Sequence, residues 1–432
     1  MSDEILARTE AALAPLWSIA SPGPTNLSQS SAYVAFRQFC ANSFPAADKG
    51  IGFSFGLSDA LRGAGLPCLM SEPRLASTLE EGARAIIAAF EASTVRRTYI
   101  CPLDLADTLP PMVFGHATVR RYDNDELATL FDAARLARYF PSQTFDASDL
   151  AQFQWLTVEE IVPAASRAGQ RALPWLYESW NRDFGAFDPH AGAHPGVVAD
   201  ALFALLLAPW EDWHTLDTDW AGFTIPWVHL VTDDLFARPK PVPSAGTLTW
   251  EDAAFQDHDG EMVEYQRPVA VPLDDVAQSI LAACDQGWWA RIESAAATPL
   301  FETPIKHFLV RAAASDGMDQ VMAHMTAIEA ALGLQSDFSK KGRPKHDQIG
   351  ATARLAKRVA ILLGDPQAGQ DYADLFELRS AFVHGRPIAG KISGKDRTLA
   401  RRLARRVVVA LVDAANGSNG ALTRVEFLNG LA

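Results

Sequence analysis

From Pro272 onward, the apolar residues of this chain recur at three-and-four spacing, the period of a helix with one buried face. DDVAQSILAACDQGWWARIES (274–294) and TPIKHFLVRAAAS (303–315) open the series. Met318, Val321, Met322, Met325, Ile328 and Leu332 continue it, and Gly333 is a natural stop. Asp347 can N-cap a helix carrying Leu355, Val359 and Leu362 that ends at Gly364. A further helix runs from about Asp371 to His384, with Leu375, Leu378 and Phe382 inward. The last begins near Asp396 and carries Leu399, Leu403, Val407 and Leu411. Such a succession predicts an all-α bundle of four principal helices with one or two extra.

The first half has a different texture. At 432 residues the chain exceeds what one core usually supports, so two domains are expected, 1–270 and 271–432. Helical stretches such as STLEEGARAIIAAFEAS (77–93) and ALFALLLAPWEDW alternate with strand-like RTYICPL (97–103), FQWLTVEEIV (153–162) and FTIPWVHLVT (223–232). RPKPVPSAG (238–246) is a connector leading into a hairpin that turns at His258, Asp259 and Gly260. The fold class is therefore an α+β N-terminal domain followed by a helical bundle.

The longest apolar stretch, ALFALLLAPW (201–210), is too short to span a bilayer. The acidic start MSDEILARTE has no basic or apolar leader region, so no signal peptide is expected. Cys40, Cys68, Cys101 and Cys284 fit neither a disulfide framework nor zinc spacing. These features predict a cytoplasmic protein with reduced thiols and no membrane partner.

Charge is unevenly placed. The net formal charge is −14, yet residues 340–410 hold 16 Lys+Arg against 6 Asp+Glu, a local +10, leaving −24 for the rest. A basic block in an acidic chain suggests one face that meets a polyanion. Arg397, Arg401 and Arg405 stand at i, i+4 and i+8, with Arg402 and Arg406 alongside, away from the Leu399/Leu403 seam. Together with Lys340, Lys341, Arg343 and Lys345 in the preceding loop, this stripe could track an RNA backbone.

Two motifs carry less. GFSFG (52–56) matches G-x-S-x-G, but no core strand precedes it, so a glycine-rich turn or a strand of small residues is preferred over a catalytic Ser54. HAGAH (190–194) has metal-ligand spacing but lies in loop sequence, and neither it nor DHDGE (257–261) supplies a convincing ligand set; no metal or cofactor is expected.

LRSAFVHGRP (378–387) is the sharpest stretch. Arg379 and His384 are about 140° apart on an ideal helix, whereas Ser380 and His384 share a face. His384 sits at a helix C-terminus, where the dipole favours a cation and hence a proton donor. Glu329 falls beside the apolar stripe of its own helix, where a carboxylate wants a cation such as Arg379.

MTAIEAALG (325–333), RVAILLG (358–364) and DYADLFELRSAFVHG (371–385) together resemble the ApeA-like HEPN domain family, whose last motif reads Tyr-x-x-Arg-Ser-x-hydrophobic-Val-His-Gly. Ile328 stands where that family usually has Leu. The resemblance covers roughly residues 270–432. It implies a helical bundle, commonly dimeric, acting as a metal-independent endoribonuclease through Arg379 and His384, with Ser380 and Glu329 in support. It further implies RNA as substrate and a role in bacterial anti-phage defence such as abortive infection. The N-terminal domain would then sense a phage-derived or other trigger. The alternative within the family is a protein that binds RNA or a partner without cutting it.

Overall fold

The computed structural model describes residues 3–431 except 22, 24–25, 48–49, 144, 176–182, 184, 214–221, 339–349, 388–391 and 418. Four helices lead the chain: α1 (Asp3–Trp17), α2 (Ser31–Ser43), α3 (Ile51–Gly63) and α4 (Leu79–Glu91). Thr78 and Glu81 form a reciprocal capping box that starts α4. Leu13, Leu16, Phe36, Phe53, Leu57 and Ile86 are fully buried between these helices, and the rings of Phe44 and Phe90 stack at 4.4 Å. GFSFG is therefore neither turn nor strand. It lies inside α3, because Phe53, Leu57 and Leu61 make a buried i, i+4, i+8 stripe. Gly56 serves close approach there, since a Cβ would lie 3.1 Å from Ala172 Cβ and 3.2 Å from the Ala168 carbonyl oxygen.

A five-stranded antiparallel sheet follows, made of β1 (Thr94–Leu103), β2 (Met112–Phe114), β3 (Ala117–Arg120), β4 (Gln154–Pro163) and β5 (His229–Thr232) in the order β2-β3-β4-β1-β5. β1 and β4 pair along ten residues, from Thr94 opposite Pro163 to Leu103 opposite Gln154. Period-two alternation sends Tyr99, Cys101, Leu156 and Val158 to one face, and Ile100 and Trp155 to the other. The second face is covered by α5 (Asn124–Leu130), α6 (Ala133–Tyr139) and α7 (Ala147–Leu150), which contribute Leu127, Leu136 and Leu150, with Phe131 between α5 and α6. With both faces covered, the last six residues of β1 are all buried. The short α8 (Ala168–Ala172) packs on α3, and α9 (Gly196–Leu206) packs on the first face of the sheet. A ribbon of β6 (Trp250–Gln256) and β7 (Met262–Pro268) turns at Asp257–Glu261 and is largely exposed. The α+β reading of this half stands at that level.

The remainder is helical: α10 (Asp275–Leu281), α11 (Gln286–Ala296), α12 (Ile305–Ala313), α13 (Gly317–Leu332), α14 (Ala351–Leu363), α15 (Pro366–Val383), α16 (Gly394–Asn416) and α17 (Arg424–Gly430). The 274–294 stretch is two helices rather than one, because the Asp285 side chain accepts from the Trp288 amide and caps a new start. Arg358, almost wholly buried, pins the bundle by donating to Asp337 and to the Leu332 and Leu428 carbonyls. The expected cap Asp347 lies outside the described residues; α14 starts at Ala351 with Gly350 at its N-cap.

The change of texture near residue 271 is not a break in the core. One apolar cluster runs from Tyr99, Leu156 and Val158 through Val198, Leu202 and Leu205 to Leu309, Met325, Leu403 and Leu411. α9 packs on α12, and the Gln286 side chain both donates to and accepts from the Gly115 backbone in the β2–β3 turn. Among the described residues no helix is long and apolar enough to cross a membrane, and all four cysteines are free and buried.

Candidate active site

α15 brings the sequence motif to a helix end. Asp365 caps its start by accepting from the amides of Gln367 and Ala368, with Pro366 in the first turn. Its end closes on Gly385, whose φ of +63° suits glycine, while the Arg386 amide returns to the Ala381 carbonyl at 2.8 Å. Tyr372 and Leu375 are buried and Leu378 is half-buried. Phe382, expected to face inward, is 49% exposed and Val383 55%. By the last turn the helix has run past the neighbours that cover its middle.

Arg379 Nη1 donates to Glu329 Oε1 at 2.6 Å, joining α15 to α13. The side chains are 25% and 18% exposed, so the pair is largely withdrawn from water. Burial pushes the Glu329 carboxyl above its ordinary range, and the Arg379 charge opposes that shift. The guanidinium sits 5.6 Å from the Phe376 ring centroid, and Arg379 Nε is buried without a hydrogen-bond partner among the described residues.

His384 is exposed at the C-cap, and its imidazole makes no hydrogen bond among the described residues. Ser380, expected on the same face, is held elsewhere. Its Oγ accepts from Arg386 Nη2 at 2.8 Å, and Arg386 also pairs with Glu377 at 2.8 Å. The structure thus joins Arg379 to Glu329 and Ser380 to Arg386, and leaves the imidazole in solvent.

Tyr372 was not anticipated. It lies seven residues before Arg379, on the same helix face, fully buried with Oη unpartnered among the described residues. Burial raises its pKa first, and the neighbouring Glu329 charge adds to the effect. The i, i+7 spacing was the available signal, and Tyr372 reads equally well as ordinary core.

The basic stripe of α16 is not a free surface. Arg405 donates to Glu211 at 2.6 Å and to Asp212 at 2.9 Å, and Arg402 donates to Asp212 at 2.8 Å. Arg401 and Arg405 are buried, and Arg397 donates to Gln320 at 3.1 Å. Burial lowers the Arg401 pKa to about 10, with Glu211 opposing. The acidic WED turn at 210–212, from the other half of the chain, covers the face that helical periodicity alone left open. The expected RNA track through Arg397, Arg401, Arg402 and Arg405 is corrected accordingly. Lys340, Lys341, Arg343 and Lys345 lie outside the described residues.

Ligand atoms of Asp257, His258 and Asp259 come within 4.8 Å of one another at the exposed ribbon turn, the one such group found among the described residues. An acidic hairpin turn of this kind is common without an ion, and nothing else converges on it.

Comparison with known proteins adds no relative. The chain matches no family model, no curated protein and no solved structure. The functional reading therefore rests on the residues just described and on the resemblance of their motifs.

Proposed function

We propose that this protein is a metal-independent endoribonuclease of the HEPN type, acting at the C-terminal end of α15. The observation that carries the proposal is a partly buried Arg379, fixed by Glu329, on the same helix end as a solvent-open His384. In this reaction the ribose 2′-OH attacks its own phosphorus and the bond to O5′ breaks. The products are a 2′,3′-cyclic phosphate and a 5′-OH, with the hydroxyl proton removed by a base and one delivered to O5′ by an acid. His384 serves as acid or base, and Arg379 offsets charge on the five-coordinate phosphorus. Glu329 orients the guanidinium, and Ser380 with Arg386 offers further donors to phosphate oxygens.

A homodimer belongs to the proposal. One helix end supplies few groups to hold a strand, and the exposed Phe382 and Val383 beside His384 provide apolar surface for a second copy. The role proposed is in bacterial defence, with the N-terminal half receiving the trigger.

The second reading is a HEPN protein that binds RNA or a partner without cutting. It is favoured by the engagement of Arg379 with Glu329, which occupies one of the guanidinium nitrogens that a phosphate would need. Cleavage of RNA by wild type and His384→Ala, with end-group analysis of the products, separates the two. The expected result is metal-independent cutting to cyclic phosphate ends, lost in His384→Ala. Equal cleavage by the variant, or 5′-phosphate ends, refutes the site.

A further inference from the structure

Transesterification needs one proton taken from the 2′-OH and another given to O5′, and His384 fills only one of those places in a turnover. The face of α15 that carries His384 also carries a carboxylate. At about 100° per residue, Glu377 stands about 20° round the helix from His384 and Ser380 about 40°, whereas Arg379 stands about 140° away. Glu377 and Ser380 are the two residues that hold Arg386.

The helix end explains how Arg386 reaches them. Gly385 takes a φ of +63°, and the Arg386 amide bonds back to the Ala381 carbonyl, so the chain reverses over the last turn. The Arg386 side chain then runs back along α15, with Nη2 on Ser380 Oγ and Nη1 on Glu377 Oε1, each at 2.8 Å. Glu377 and His384 are separated by about 10 Å of helix rise. A carboxylate bonded to an arginine that returns from the helix end is drawn toward His384, which shortens that gap toward the span of one phosphodiester. The Glu377 side chain is 67% exposed, so a strand lying on this face has access to it. Only its Oε1 is engaged among the described residues, leaving Oε2 to accept a proton.

The neighbouring carboxylates are worse placed. Asp374 lies nearly a turn further from His384 and accepts from Gln370 Nε2 at 2.8 Å. Glu329 is largely withdrawn from water and taken by Arg379 on the side facing α13.

We propose that Glu377 is the general base and His384 the general acid of RNA cleavage, with Arg386 holding the carboxylate while its free N–H groups meet a non-bridging phosphate oxygen. This assignment rests on the ribonuclease reading and supplies the second proton-transfer group that it lacks. Glu377 takes the 2′-OH proton, O2′ forms its bond to phosphorus, the bond from phosphorus to O5′ breaks, and protonated His384 gives its proton to O5′. Glu377 then releases a proton to water and His384 takes one up, which resets the site.

Cleavage of an RNA oligonucleotide by the full chain, followed across pH, tests it. Wild type should give a bell-shaped profile, rising as the base loses its proton and falling as the acid does. Glu377→Gln, which removes only an exposed ion pair and so leaves folding intact, should lower kcat about 100-fold with little change in KM. It should also lose the rising limb at low pH, while Arg386→Gln lowers the rate with both limbs kept. A Glu377→Gln profile that retains both limbs makes the carboxylate a mere support for Arg386 and overturns the assignment, as does a wild-type rate. Loss of cleavage in His384→Ala beside unchanged cleavage in Glu377→Gln sinks the base alone. Cleavage in His384→Ala equal to wild type, or none by wild type, removes the ribonuclease reading and this assignment with it.

Discussion

Glu329 on α13 accepts from Arg379 on α15 at 2.6 Å, so the guanidinium is positioned by a helix other than its own. Removing the carboxylate leaves a largely buried cation unpaired, a loss on the order of 3 kcal/mol for such pairs. Glu329→Leu should therefore lower the thermal midpoint clearly, while Glu329→Gln, which keeps an acceptor, should lower it less. If Arg379 also acts on phosphate, Arg379→Lys should lose RNA cleavage at least tenfold with a smaller effect on stability, because an ammonium cannot replace the planar fork. A cleavage rate in Arg379→Lys equal to wild type would confine the pair to structure.

The exposed Phe382 and Val383 give the assembly prediction a direct handle. Light scattering on the full chain should give the mass of a dimer, and Phe382→Asp with Val383→Asp should give that of a monomer. Both positions are about half exposed in the single chain, so the double variant should keep its melting temperature apart from the loss of assembly. A wild-type monomer at all concentrations would remove the dimer from the proposal.

His324 makes stability depend on acid. It is buried between α13 and α16, neither ring nitrogen has a partner among the described residues, and burial together with Arg401 holds its pKa down at about 3. In the unfolded chain the imidazole protonates near pH 6.5, while the folded one stays neutral to about 3. Below 6.5 the unfolded state binds more protons, so this group's contribution falls as pH drops from 6.5 toward 3, by at most ~1.4 kcal/mol per pH unit. His324→Leu should flatten the decline in melting temperature between pH 6.5 and 5 relative to wild type. Parallel curves for the two proteins would refute it.

What the sequence disclosed depended on whether one element sufficed to specify it. The helices of the second half follow from their own apolar period, and the Glu329–Arg379 pair follows from a carboxylate placed beside an apolar stripe. GFSFG reads as a turn or strand because glycine argues against helix, whereas here its lack of a side chain admits Ala172 and the Ala168 carbonyl. Phe382 falls on the inward stripe by period yet is exposed, because periodicity cannot show where a neighbouring helix ends. The arginines of α16 read as a solvent face from their own helix because the partners of Arg405, Glu211 and Asp212, lie nearly two hundred residues away.

That last contact bears on whether the second half stands alone. A fragment of residues 271–432 looks like a complete helical domain from its period. In the structure it would lose α9 from the face of α12, the β2–β3 turn from Gln286, and Glu211 and Asp212 from Arg405. Leu281, Ile292 and Leu309 belong to the cluster that continues into the sheet, so the fragment would expose apolar surface that the full chain covers. It should therefore bind a hydrophobic dye, melt at lower temperature than the full chain and aggregate at micromolar concentration. Cutting instead before Gly196 restores α9 and the acidic turn, and should recover part of the lost stability. If the 271–432 fragment melts cooperatively at the full-chain temperature without dye binding, the bundle is an independent domain, and the shared core contributes little to its stability.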